Sequence, residues 1–235
     1  MEITKEDKML LAGAEDKFNQ CLNQYRVTHT TFLDLRQRSL VDRHCRQLAK
    51  GSDVKCTFYG GYDDAERTIA AFLPDYADVS QLPLSVIRAE APPSGRKLTH
   101  RDYLGSLTGL GLKREMIGDI LVRDDGADII IMDDIEDFLM LNYQKAGRTE
   151  LSLSALPLSE LRIPETKTAM IKDTVASLRL DNVISSAFKM SRSKAADAIR
   201  TGLVFINSLQ AEKPDMKVEE GDKLVLRGKG KSYLK

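Results

Sequence analysis

The sequence lacks most marks of a membrane protein, a metalloprotein or a nucleotide-dependent enzyme. No apolar run approaches the ~20 residues that span a bilayer. The opening Met1-Glu2-Ile3-Thr4-Lys5-Glu6-Asp7 is charged and acidic, unlike a secretory leader, so a cytoplasmic protein with no membrane contact is expected. The 3 cysteines, Cys21, Cys45 and Cys56, form no Cys-x-x-Cys pair, and reduced thiols in core positions are expected. His29, His44 and His100 are isolated, and His44-Cys45…Cys56 does not have zinc spacing. There is no Gly-x-x-x-x-Gly-Lys loop to cradle a phosphate chain. Asp124-Asp125 and Asp133-Asp134 are paired carboxylates, but each sits where a turn or a helix cap favours aspartate. No cofactor, metal or catalytic residue is expected.

Net charge is missing too, with 35 Lys and Arg against 35 Asp and Glu. The balance hides an asymmetry. Residues 179–235 hold 12 basic against 7 acidic side chains, which leaves 23 against 28 for the rest. A basic module on an acidic body can bind polyanions locally.

What is present suits a globular α+β chain of two or three units: 235 residues, 42% hydrophobic and 30% charged. Leu10, Ala14, Phe18, Cys21, Leu22 and Tyr25 share one helical face. Thr30 or Thr31 is placed to cap a second helix, with Leu33, Leu40, Val41, Cys45 and Leu48 inward and Gly51 at its end. Its polar side carries Arg36, Arg38, Arg43, Arg46 and Lys50, either a solvated face or a secondary RNA contact. A strand over Val54 to Tyr59, a Gly60-Gly61 turn and a helix from Asp63 or Asp64 through Ala65, Ile69 and Leu73 complete residues 1–80.

Residues 81–178 read as β-α-β-β-α-β, a ferredoxin-like or RRM-like order. The elements are a strand at Leu84–Ala89, a loop Ala91-Pro92-Pro93-Ser94-Gly95 and a helix capped by Thr99. Strands Ile120–Val122 and Ala127–Ile131 follow, joined by the turn Arg123-Asp124-Asp125-Gly126. A helix from Asp133 or Asp134 to Gly147 and a strand Glu150–Leu156 close the set. RRM sheets stack bases on aromatic rings. Ser85-Val86-Ile87 and Ile129-Ile130-Ile131 offer none, so docking through loops and edges, or a scaffold role, is expected. Glu165 to Leu178 alternates at Thr168, Met170 and Lys172, which predicts a further strand.

Residues 179–235 read as a small RNA-docking module. Leu180, Val183, Ile184, Ala187 and Phe188 form an apolar helical stripe. Ser191 caps a second helix whose Ala195, Ala198 and Ile199 face inward, and Gly202 ends it. Arg192, Lys194 and Arg200 lie off that stripe and can reach adjacent phosphates. Asp197, three residues from both Lys194 and Arg200, either holds them or offsets their charge. Strands around Val204, Ile206 and Val225 follow, with turns at Asn207-Ser208 and Gly221-Asp222. The tail Arg227-Gly228-Lys229-Gly230-Lys231 alternates cations with glycine, which permits close approach to a ribose-phosphate surface.

The ordered set Arg179-Leu180-Asp181, Ser191-Arg192, Gly202…Val204…Ile206-Asn207 and Gly221-Asp222 resembles the S-four RNA-binding domain, named for small-subunit ribosomal protein four. It covers about a quarter of the chain. Asn207-Ser208 departs from the family's Asn-Gly, and serine is the less permissive turn residue. Upstream, Phe58-Tyr59-Gly60-Gly61-Tyr62 with Ala65-Glu66-Arg67, Leu98-Thr99-His100-Arg101-Asp102-Tyr103-Leu104-Gly105-Ser106-Leu107, and Gly118-Asp119-Ile120 are similar to the YlmH family of bacteria. That resemblance extends over nearly the whole chain.

The resemblance implies three small domains: a helix-rich α/β domain at 1–80, a ferredoxin-like (RRM-like) domain at 81–178 and an S-four module at 179–235. It implies a monomeric factor of ribosome-associated quality control that binds the large ribosomal subunit carrying peptidyl-tRNA. Ribosomal RNA and tRNA are then the partners. The family's gene neighbourhood adds a link to cell division and to cell-division proteins. Arg179, Arg192 and Lys194 carry over as RNA contacts, with Asp181 capping the first helix or orienting Arg179. Lys189, Ser191, Arg200, Arg227, Lys229 and Lys231 complete the candidate site. Two rivals stand beside this reading. One is a pseudouridine-synthase-like enzyme, since Arg179-Leu180-Asp181 superficially matches a catalytic Arg-Leu-Asp. The other is a cell-division adaptor acting through protein contacts.

Overall fold

A computed structural model describes residues 3–92, 96–165 and 168–235. The chain folds as two compact units, Met1–Thr166 and Lys167–Lys235. Part of the Ala91–Gly95 loop lies outside the described residues.

In the first unit, α1 (Lys5–Gln24) opens with a capping box in which Asp7 N donates to Thr4 Oγ1 and Thr4 N to Asp7 Oδ2. α2 (Leu35–Leu48) is capped by Asp34, not by Thr30 or Thr31. Thr30 is committed elsewhere, its hydroxyl accepting from Ala70 N. The polar side of α2 is engaged by the protein itself. Arg36 forks onto Asp7 at 2.7 Å, Arg46 pairs with Asp42 at 2.8 Å, and Arg38 lies over the Phe58 ring at 5.2 Å.

β1 (Thr28–His29), β2 (Lys55–Tyr59) and β3 (Ile69–Leu73) form an antiparallel sheet in the order β1-β3-β2. The helix expected through Ile69 and Leu73 is therefore a strand. Ile69-Ala70-Ala71-Phe72-Leu73 is buried at every position, as befits a central strand covered on both faces. A short, uniformly apolar run carries no period to separate helix from strand.

The second sheet follows the expected order. β4 (Leu84–Glu90), α3 (His100–Gly109), β5 (Ile117–Val122), β6 (Gly126–Met132) and α4 (Glu136–Asn142) come first. A small hairpin of β7 (Lys145–Ala146) and β8 (Thr149–Glu150) then leads into β9 (Ser152–Leu156). The resulting antiparallel sheet is ordered β5-β6-β4-β9. α4 stops at Asn142. Gly147, expected to end it, instead turns the β7–β8 hairpin with φ +60°.

Both faces of this sheet are occupied. Ile87, Ile129 and Ile131 pack with Tyr103, Leu107 and Leu139 from the helices. Ile130, Met132 and Leu84 pack with Ile69 and Leu73 of β3 and with Phe32 from the segment between β1 and α2, and Leu158 and Leu161 join them. On that second face Asp128, fully buried, accepts a fork from Arg88 at 2.9 Å and a bond from Arg162 N. The face on which RRM sheets stack bases is here an interior layer.

In the second unit, α5 (Leu180–Ala187) and α6 (Arg192–Arg200) pack on β10 (Val204–Ile206), β11 (Leu209–Gln210), β12 (Lys223–Leu226) and β13 (Gly230–Tyr233), ordered β11-β10-β12-β13. Leu180, Val183 and Ile184 of α5 meet Ala195 and Ile199 of α6 and Val204, Leu224 and Leu226 of the sheet. The strand expected at Glu165–Leu178 is absent from the described residues 168–178. Met170 is 78% exposed, so the alternation there faces no partner strand.

Candidate nucleic-acid interface

The apolar stripe of α5 fixes which side chains remain outside. With Leu180, Val183 and Ile184 buried, Asn182, Ser185 and Ser186 face outward, one helical turn apart. The turn to α6 puts Lys189 in the left-handed region at φ +49°, and Ser191 then caps α6 by accepting from Lys194 N. These residues line a groove of about 920 Å³ with Asp173, Thr174, Val175, Ala176, Met190 and Lys229. Lys189, Lys194 and Lys229 thus converge on one concave surface from three parts of the module. Among the described residues none of the three ammonium groups is ion-paired. Asp173, the one carboxylate on the wall, accepts from Ser186 Oγ at 2.6 Å and from Thr174 N.

Beside the groove lies an arginine pair organised by one buried carboxylate. Asp181 is 4% exposed. It accepts from Arg179 Nε at 3.2 Å and Nη2 at 3.3 Å, from Arg192 Nε at 2.9 Å and from Asn182 N at 3.0 Å. Burial alone would push its pKa up, but the bonds from Arg179 and Arg192 outweigh it and hold the carboxyl below the ordinary range. Asp181 orients Arg179, one of its two expected roles. It does not cap α5: Arg179 is the cap residue, and no side chain there caps the helix. Arg179 and Arg192 keep 42% and 55% of their side-chain surface, so their outer edges face solvent.

The remaining candidates lie apart from the groove wall. Arg200, at the far end of α6, pairs with Asp197 at 3.1 Å. Arg227 follows β12 and donates its backbone N–H to Leu203 O. Lys231 sits in β13 opposite Val225. The turn that departs from Asn-Gly keeps its shape, with Asn207 at φ +50° and Ser208 at φ +69°.

Asn182, Ser185, Ser186 and Asp173 were not among the expected site residues. The first three had a readable signal, since Asn182, Ser185, Ser186 and Lys189 repeat at i, i+3, i+4 and i+7 opposite the apolar stripe. Asp173 had none, because only the path of residues 168–178 along the module brings it to the groove.

No group of three or more His, Cys, Asp or Glu among the described residues is placed to hold a metal. No helix among them is long and apolar enough to cross a membrane.

Comparison with known proteins gives the geometry a context. Residues 80–160 match a family model described as "Putative RNA-binding domain in YlmH", and residues 178–224 match the S4 domain. The chain is 37% identical over 213 residues to ribosome-associated protein quality control protein P2 of Bacillus subtilis, covering 90% of this chain and 81% of that protein. It is also similar to the solved structure of cell division protein YlmH from Streptococcus pneumoniae. The TM-score is 0.54 at 26% identity, over 70% of this chain and 98% of that one.

Proposed function

The chain belongs to the YlmH family, and on that premise we propose that it is an RNA-binding factor of ribosome-associated quality control that engages the large ribosomal subunit with its peptidyl-tRNA. The observation that carries this reading is the convergence of Lys189, Lys194 and Lys229 on one groove, beside the Arg179–Asp181–Arg192 cluster. Free ammonium groups from the α5–α6 turn, α6 and the β12–β13 turn, with solvent-facing guanidinium edges beside them, suit the phosphates of a structured RNA. We propose a first domain at 1–80 and a second from 81, both within one compact unit, and an RNA-docking module at 179–235 onto which the segment before it packs through Asp173 and Val175; the matched stretches 80–160 and 178–224 support this division. Ribosomal RNA and tRNA are the proposed partners, met in the cytoplasm by a monomer. The name of the pneumococcal relative supports a link to cell division.

We read the chain as acting by binding rather than catalysis. Asp181, the aspartate of the Arg-Leu-Asp triplet, is buried and already accepts from Arg179, Arg192 and a backbone amide. Pseudouridine formed in ribosomal RNA by the wild type, and not by Asp181→Asn, would overturn this.

Co-sedimentation with large subunits tests the binding reading. Replacing Lys189, Lys194 and Lys229 by alanine removes no ion pair among the described residues and leaves the core intact. It is expected to release the protein from the subunit and to lower the slope of log affinity against log salt by up to about three, one per lost phosphate contact. Arg179→Ala with Arg192→Ala is expected to abolish co-sedimentation as well. Binding that ignores salt and these lysines would favour the adaptor reading.

A further inference from the structure

The matched RNA-binding stretch at 80–160 has no free sheet face, so any RNA it touches must meet an edge or a loop. At the β5 edge two arginines stand side by side. Arg67, from the loop before β3, donates Nε to Ile117 O at 3.0 Å and Nη2 to Phe32 O and Arg114 O at 3.2 and 3.1 Å. Arg114 donates Nη1 to the same Ile117 O and to Gly118 O, the latter at 3.0 Å. Both guanidiniums are thus pinned to one carbonyl and held close together.

Asp34, Asp119 and Glu115 lie near enough to act on the Arg67 charge, and Asp119 on that of Arg114, yet none of them bonds to either guanidinium. Among the described residues neither guanidinium is ion-paired, and Arg67 Nη1 and Arg114 Nε and Nη2 have no hydrogen-bond partner. None of these three nitrogens is a buried orphan, so they face accessible space. Of these carboxylates Asp119, which acts on both arginines, is spent on Tyr62 OH at 2.9 Å, Glu66 N at 2.7 Å and Arg67 N at 3.1 Å. Burial, and then the charge of Arg67, pulls the Arg114 guanidinium down to about 10, which still leaves it protonated at neutral pH. His100 lies beside them. Burial and Arg114 lower its pKa, while Asp119 and Glu66 pull the other way.

Carbonyl anchoring alone does not need two cations in one half-buried place, since like charges there repel and are poorly solvated. An anion with several acceptor oxygens resolves the arrangement, because two guanidinium edges match a phosphate. We propose that Arg67 and Arg114 form a second phosphate-binding site, on the edge of the middle sheet, that takes a backbone phosphodiester of the RNA whose main anchor is the C-terminal groove. This rests on the RNA-binding reading above and adds a contact separate from the groove. Arg114 lies within the matched stretch and Arg67 before it, so the N-terminal segment completes the site.

The test uses the full chain and two probes. First, the His100 imidazole is titrated by NMR with and without inorganic phosphate. Phosphate between the arginines is expected to raise the His100 pKa in the wild type and to leave it unmoved in Arg114→Gln. Second, affinity for deproteinised large-subunit ribosomal RNA is measured against salt. Arg114→Gln is expected to bind about tenfold more weakly, the loss of a charge-assisted contact, with a salt slope lower by about one. Arg114→Lys, which keeps the charge but not the fork, is expected to recover the slope and only part of the affinity. A His100 response to phosphate with unchanged RNA affinity in Arg114→Gln would mark a site for a small phosphate ligand and overturn the RNA assignment. An unmoved His100 with unchanged RNA affinity would overturn the site while the groove-lysine variant still loses binding. RNA binding absent from the wild type would instead remove the reading beneath it.

Discussion

Asp181 shows how one side chain sets the behaviour of several. Its folded pKa lies below the ordinary carboxylate value of about 3.9 because the bonds from Arg179 and Arg192 outweigh burial. A depressed carboxylate contributes stability that is present above the unfolded pKa and lost as pH falls through the folded one. Asp181→Asn is therefore expected to flatten the acid limb of the stability curve below about pH 4 and to cost about 1–3 kcal/mol at neutral pH, because the amide carries no charge and turns an NH2 donor toward N–H groups that both carboxylate oxygens accept from. Denaturant melts from pH 2 to 7 check both. Ser208 gives the opposite sign. It holds φ +69°, a backbone that L side chains adopt at a cost. Ser208→Gly restores the residue the turn prefers and is expected to stabilise the chain by about 0.5–1 kcal/mol in an equilibrium melt. Among single residues, Arg179, Ser191 and Arg192 could be picked out because they sit in short motifs, and Lys189, Lys194 and Lys229 because they are cations of a basic module, off its apolar stripe or in its glycine-rich tail. The partners that orient them could not. Nothing in the sequence distance between Asp181 and Arg192 says that they bond, because that contact needs the two helices to pack.

Among the elements, the β2–β3 hairpin departs most from its sequence pattern. Ile69–Leu73 becomes a central strand because β1 and β2 pair with both of its edges and side chains cover both of its faces. The turn depends on Gly60, where a Cβ would lie 2.2 Å from Arg67 O and 2.5 Å from Ala65 Cβ. Backbone cannot yield cheaply there, so Gly60→Ala is expected to cost about 1–3 kcal/mol. Hydrogen exchange should show the loss first at the amides of β3. The helices were easier to read, because a 3.6-residue period over eight or more residues is specific. α3, α5 and α6 form where their caps and apolar positions place them, whereas α1 ends at Gln24 and leaves Leu22 and Tyr25 of its expected apolar face 42% and 59% exposed, because Tyr25 turns into the left-handed region that closes the helix. The boundaries of α2 and α4 shifted because Thr30 and Gly147 serve strands instead of helix ends.

For the whole molecule, the chain passes from one compact unit to the other at residues 166–167, and described residues 168–172 precede the segment that the Asp173–Ser186 bond ties to the C-terminal module. Exposed, irregular backbone between compact units is where proteases cut first. Limited trypsin digestion is expected to cleave at Lys172 before any site within α5 or α6, leaving two resistant pieces visible by mass spectrometry. Cleavage starting inside the β4–β6 sheet would contradict that order of stability.

The C-terminal module, the β-α-β-β-α-β order of the middle sheet and the family could all be read from the chain. These are carried by local period, capping and short motifs, which need no knowledge of distant packing. That the middle sheet offers neither face to RNA emerges from packing alone, since its second face is covered by Phe32, Ile69 and Leu73 from residues far upstream. Packing also set Asp181 between Arg179 and Arg192, and Arg67 beside Arg114. Charge compensation is a property of neighbours in space, and these pairs come together only when separate elements pack.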